Sequence, residues 1–172
     1  HMYVGTQVGA RSDSDFEQWA QLGVVNVCSD PPGDARSWTK DDLARHKDKL
    51  DSYGITLDMV QIPLSSTPLD VSQSPNIMLG KSPERDREIE VVQNIIRWCG
   101  EVGIPSVKYN MNIIGIPRSE REAGRGGSSN STFRWAKMNQ DDPPTIAGVV
   151  GVDENWERID YFLERAVPAA ES

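Results

Sequence analysis

Apolar residues along the chain switch repeatedly between the alternate spacing of a strand and the three-and-four spacing of a helix. Residues 3–8 read as a first strand, and Ser12 can cap a helix that runs through Leu22 and stops at Gly23. Residues 24–28 form a second strand, followed by a turn-rich stretch to Ser37. A helix then opens at Thr39, with Asp42 three residues on as capping-box partner, and closes at Gly54. Residues 55–62 read as a third strand ending at Pro63. Ser82-Pro83-Glu84 offers a capping hydroxyl, a proline at the first helical position and an acid in the first turn. The helix it starts runs to about Val102, with Ile89, Val92, Ile96 and Cys99 inward and Val91, Ile95 and Trp98 widening the stripe. Residues 104–112 are the fourth strand. Asp153 caps a last helix that carries Trp156, Ile159, Leu163 and Val167 on one face.

Strands that alternate with helices imply βαβ units, right-handed crossovers and a parallel sheet. The connections are unequal. Helix-to-strand links are short, whereas the strand-to-helix links 29–38, 63–81 and 113–152 are long. Such loops sit where parallel α/β folds build their sites, because the strands' C-terminal ends all open on one face. The fourth strand turns polar there, at Tyr109, Asn110 and Asn112. Four strand–helix units are half of an eight-fold barrel, which is typically about 250 residues when complete. The expected fold is therefore α/β, half of a TIM barrel, with residues 1–172 as the N-terminal half of a single (β/α)8 barrel and no separate domains. No G-x-G-x-x-G turn follows the first strand, and the glycines of "GIPRSEREAGRGG" read as loop flexibility, not a phosphate cradle. Half a barrel leaves a sheet face and two edge strands bare. The chain stops at "ERAVPAAES", where a helix would hand over to a fifth strand. The expected partner is the missing barrel half or a second copy of the chain, and the expected assembly a homo-oligomer.

The 172 residues are 37% hydrophobic and 26% charged, as in ordinary globular proteins. A net charge of −8 argues against nucleic acid, though not against a small anion held by a few local arginines. No apolar run approaches the roughly 20 residues that span a bilayer, and no secretion signal opens the chain. A cytoplasmic protein without a membrane partner is expected. Cys28 and Cys99 read as reduced thiols among apolar neighbours, and His1-Met2 as a cloning remnant.

Several stretches together resemble a known family. They are "SWTKDDLARHKDKLDSYGITLDMVQ", "ERDREIEVVQNIIRWCGEVGIPSVKYNMN", "GSSNSTFRW", the loop arginine Arg118 and the final "WERIDYFLERAVPAAE" helix. The chain resembles the first half of the xylose-isomerase-like TIM barrels, and within them mannonate dehydratase and its relatives. The resemblance implies a hydro-lyase of carbohydrate metabolism that removes water from a sugar acid to leave a 2-keto-3-deoxy acid. It also implies a divalent metal, manganese first, held by His, Cys and carboxylate ligands of the second half and so outside this chain. This chain alone is then expected to be incomplete and inactive. One departure stands out: the third strand leads into "VQIPLSSTPLD", where the family has acidic and histidine side chains. A sugar isomerase or epimerase on the same barrel, and a non-catalytic half-barrel module that needs a partner chain, are the alternatives.

Candidate substrate-binding residues are Gln61, Tyr109, Asn110, Asn112, Arg118 and Arg134; no catalytic residue and no metal ligand is assigned. Asparagines can bind sugar hydroxyls, and arginine's planar fork suits a carboxylate. Adjacent strand residues face opposite ways, so either Tyr109 or the asparagines point inward. His46, amid Arg45, Lys47 and Asp48, reads as a solvated helix histidine, and Asp141-Asp142 as a turn.

Overall fold

The computed structural model describes residues 3–10 and 12–172; His1 and Met2, read above as a cloning remnant, lie outside them. Four strands lie side by side in chain order, all parallel: β1 (Gly5–Thr6), β2 (Asn26–Cys28), β3 (Thr56–Gln61) and β4 (Ser106–Lys108). Helices α1 (Asp13–Gln21), α2 (Lys40–Asp51), α4 (Glu84–Val102) and α5 (Val152–Glu171) follow the four strands in turn, with a short α3 (Pro75–Leu79) in the third link. The expected architecture of four parallel strand–helix units is present. Every strand is shorter than its apolar run. The run continues past the ladder at β4 because the last pairing is Gln61 with Lys108, and beyond it the Asn110 amide turns to the Leu64 carbonyl.

Capping explains where helices begin. Thr39 and Asp42 form the expected box, Thr39 accepting from the Asp42 amide and Asp42 accepting from the Thr39 amide at 2.9 Å. Two expected starts are corrected. Pro83 is the N-cap of α4, not its first helical residue, and no side chain caps it. Gly151 is the N-cap of α5, which puts Asp153 inside the first turn, where its charge still favours the helix dipole. At Gly103 the backbone turns left-handed (φ 78°), the conformation that lets α4 end and β4 begin within a few residues.

The core lies between the sheet's outer face and the helices. Val27, Leu57, Val60 and Ile62 meet Leu43 and Leu50 of α2, and Ile89, Val92, Ile95 and Cys99 of α4. Helix α5 packs chiefly on α4, on a face one residue away from the expected stripe. Its buried residues are Arg158, Phe162, Ala166 and Ala169, while Trp156 and Val167 remain exposed. Small alanines admit close helix approach, and Arg158 lies inward because its guanidinium donates to the Met78 carbonyl at 2.7 Å and also pairs with Glu154. A pattern of large apolar residues points elsewhere.

The long links are braced, not loose. Asp34 accepts from Arg36 and Gln73, and Glu88 accepts from the Asn76 side chain and the Ile77 amide, tying α3 to α4. The glycine-rich stretch read as flexible forms an antiparallel hairpin, β5 (Glu122–Ala123) with β6 (Ser129–Asn130). Gly126 and Gly127 take positive φ in its turn. Both cysteines are free, as expected, and Cys99 is buried among apolar side chains, but Cys28 is only half-buried and has polar neighbours.

Candidate functional site

Alternation along the short strands decides which side chains reach the concave face. A bulge in β3, where Val27 pairs with Leu57 but Cys28 with Met59, resets the alternation, so Val27, Leu57 and Val60 all point to the helices while Cys28, Met59 and Gln61 point the other way. Lys108 is the register partner of Gln61 and shares its face. Gln7 follows β1 on the same side. The result is a polar cavity of about 310 Å³ at the C-terminal strand ends, lined by Gln7, Cys28, Asp30, Gln61 and Lys108 among others.

Its polar groups are connected. The Lys108 ammonium crosses the concave face to Gln7 Oε1 at 2.7 Å, linking the outermost strands. Asp30 Oδ1 accepts the Gln61 amide at 2.7 Å. Gln61 Nε2 donates to the carbonyls of Lys108, Leu64 and Ile62 at 2.9, 3.0 and 3.2 Å, which fixes the end of β3 against β4. Burial of the Asp30 carboxyl pushes its pKa up, against the downward pull of the Gln61 amide and Lys108. Burial also raises the Cys28 thiol, as does Asp30, so Cys28 is a protonated thiol at neutral pH.

The sequence-derived candidates separate into three places. Gln61 lines the cavity, though its amide nitrogen is committed to backbone. Tyr109 turns outward, its ring 5.6 Å from that of Phe162 in α5. Asn110 and Asn112 follow β4; Asn112 Nδ2 donates to the Thr67 carbonyl at 2.9 Å, while its buried Oδ1 is without a partner among the described residues. Arg118 and Arg134 sit on the long fourth link. Arg118 is exposed and donates to the Pro117 carbonyl at 3.3 Å. Arg134 forms a fork on Glu122, at 2.5 and 2.7 Å, which Lys137 joins at 3.2 Å. This pairing holds Glu122 down at about 2. Lys108 and Gln7 were missed as candidates. The signal was available: a lysine at an inward position of an apolar strand is expensive unless it has work or a partner.

His46 corrects the expectation of a solvated histidine. It is 8% exposed, packed under the second link and sharing a 3.1 Å hydrogen bond with Ser29. Burial, helped by nearby Lys49, lowers it to about 4, so it is neutral at physiological pH.

The cavity does not fit a divalent metal. Among the described residues no three His, Cys, Asp or Glu side chains converge. Cys28 and Asp30 leave a single strand end, the thiol keeps its proton, and an ammonium occupies the same space. Nor is any described helix long and apolar enough to cross a membrane.

Comparison with known proteins bears on the family and the fold. A family model described as D-mannonate dehydratase (UxuA) matches residues 5–154. The chain is 27% identical over 168 residues to a mannonate dehydratase of Shouchella clausii (strain KSM-K16), covering 78% of this chain and 44% of that protein. It is 25% identical over 158 residues to mannonate dehydratase 2 of Halalkalibacterium halodurans, covering 78% and 43%. The crystal structure of mannonate dehydratase from Streptococcus suis serotype2 superposes with a TM-score of 0.80 over 99% of this chain and 51% of that one. At 21% identity, that match speaks for the fold alone. The chain spans about half the length of the curated relatives it matches.

Proposed function

Because the chain belongs to the D-mannonate dehydratase family, we propose that it forms the first half of a (β/α)8 hydro-lyase that converts a sugar acid of the mannonate type to a 2-keto-3-deoxy acid. In that reaction the proton beside the carboxylate leaves to a base and hydroxide leaves the adjacent carbon. The resulting enol then tautomerises to the ketone. The single observation that supports this most is the polar cavity at the strand ends, where one cation and several hydroxyl-binding groups face the space a complete barrel would enclose.

In this scheme the chain supplies the substrate-binding wall and not the proton-transfer groups. Gln61, which lines the cavity, and Asn110 and Asn112, which follow β4, would bind sugar hydroxyls, with Tyr109 backed by Phe162 of α5. Arg118, on the fourth link, would reach the substrate's carboxylate, and Arg134 would do so only by giving up its fork on Glu122. The divalent metal, manganese first, would be held by residues outside this chain. A homo-oligomer and a cytoplasmic location go with the proposal; the two free thiols are in keeping with the latter.

The test is to supply the complete protein that contains this chain with D-mannonate and manganese, and to trap the α-keto acid as it appears. Accumulation of the keto acid supports the assignment. Its absence under conditions where a known mannonate dehydratase is active would overturn it.

A further inference from the structure

Lys108 is the one cation lining the cavity among the described residues, and Asp30 answers its charge only from beyond ion-pair distance. An ammonium has three donors. One goes to the neutral oxygen of Gln7. The nearby carboxylate, Asp30, forms no ion pair with it within 4 Å and spends one oxygen on the Gln61 amide. Burying part of a lysine against the concave sheet face costs free energy that one neutral acceptor does not offset. Two N–H donors therefore remain for a ligand, on an ammonium whose charge Asp30 meets only at longer range.

The rest of the cavity narrows the ligand's chemistry. A phosphate dianion would be expected to find a backbone nest or several cations, and a single lysine beside a carboxylate provides neither. A neutral sugar would leave the charge unanswered. A monoanion carrying hydroxyls answers all of it: its carboxylate meets the ammonium, and its hydroxyls donate to the Asp30 carboxylate or bond to Gln7. The arginine that sequence reading favours for this task, Arg134, already has its fork filled by Glu122.

We propose that Lys108 is the anchor for the carboxylate of a polyhydroxy acid, with Gln7 holding the ammonium in place and Asp30 orienting the neighbouring hydroxyls. The substrate class rests on the dehydratase assignment above; the anion site rests on the geometry of the strand ends. Lys108 is a binding and positioning residue here, not a proton carrier.

Binding to the full chain tests this, with D-mannonate, D-gluconate and D-mannose as probes and calorimetry as readout. Both sugar acids should bind and mannose should not. Lys108→Met should weaken the acids at least about tenfold, the loss expected for one charge-assisted hydrogen bond. Lys108→Arg should restore most of the affinity, and Lys81→Met, an exposed lysine between α3 and α4 outside the cavity lining, should change nothing. Circular dichroism of each variant separates lost binding from lost fold. In the complete protein, Lys108→Met should raise KM more than it lowers kcat. Equal binding of D-mannonate by Lys108→Met and the unaltered chain, equal binding of mannose, or no sugar-acid binding at all would each overturn the anion site. Lysine-dependent binding of sugar acids without any dehydration would keep the site and remove the dehydratase assignment. Dehydration with an unchanged KM in Lys108→Met would do the reverse.

Discussion

A buried neutral histidine makes stability depend on pH in a direction that can be worked out. His46 has a folded pKa of about 4, below the 6.5 of an unfolded histidine. Above pH 6.5 neither state binds the proton, so the folded state carries no penalty. As pH falls from 6.5 toward 4 the unfolded chain takes up a proton that the folded chain refuses, and stability is lost. The loss should reach about 2 kcal/mol by pH 4, after allowance for solvent screening. Denaturant unfolding at a series of pH values checks this: His46→Gln should flatten the slope between pH 6.5 and 4 relative to the unaltered chain. Identical slopes would mean that His46 titrates normally and that its bond to Ser29 is of little consequence.

At the level of elements, how much was legible depended on which signal was local. Thr39 with Asp42 and the glycine stops are local, and the ends of α2 follow from them, while the parallel sheet follows from the alternation of strands and helices. The burial of α5 is a tertiary matter. Its apolar stripe favours Trp156 and Val167, yet Ala166 and Ala169 are the residues small enough to face α4, and Arg158 is drawn inward by the Met78 carbonyl. The inward lysine of β4 was legible as an anomaly of its strand, but its partner was not, because Gln7 is 101 residues away in sequence. The hairpin was hidden because its two-residue strands carry no apolar alternation. Phe162 now takes the place at the centre of α5 that Leu163 was expected to hold. Phe162→Ala should destabilise the chain by about 3–5 kcal/mol and loosen Tyr109, whereas Trp156→Ala should cost under about 1 kcal/mol, as surface changes do. Thermal or denaturant unfolding of the two variants decides between the faces.

For the whole molecule, the division of labour is the point at issue. The strand ends present an ammonium, amides and, from one strand end, Cys28 and Asp30; among the described residues no three His, Cys, Asp or Glu side chains converge to hold a divalent ion. Manganese should accordingly bind the chain no better than about millimolar, the range of loosely held extracellular calcium modules. Calorimetry that found a stoichiometric micromolar site would relocate the chemistry into this half. The most direct test of the central claim is the mass of the product that the complete protein forms from D-mannonate. A product lighter than substrate by one water, with a 2-keto-3-deoxy skeleton, is the predicted result. A product of unchanged mass would contradict it and make the protein an isomerase or epimerase.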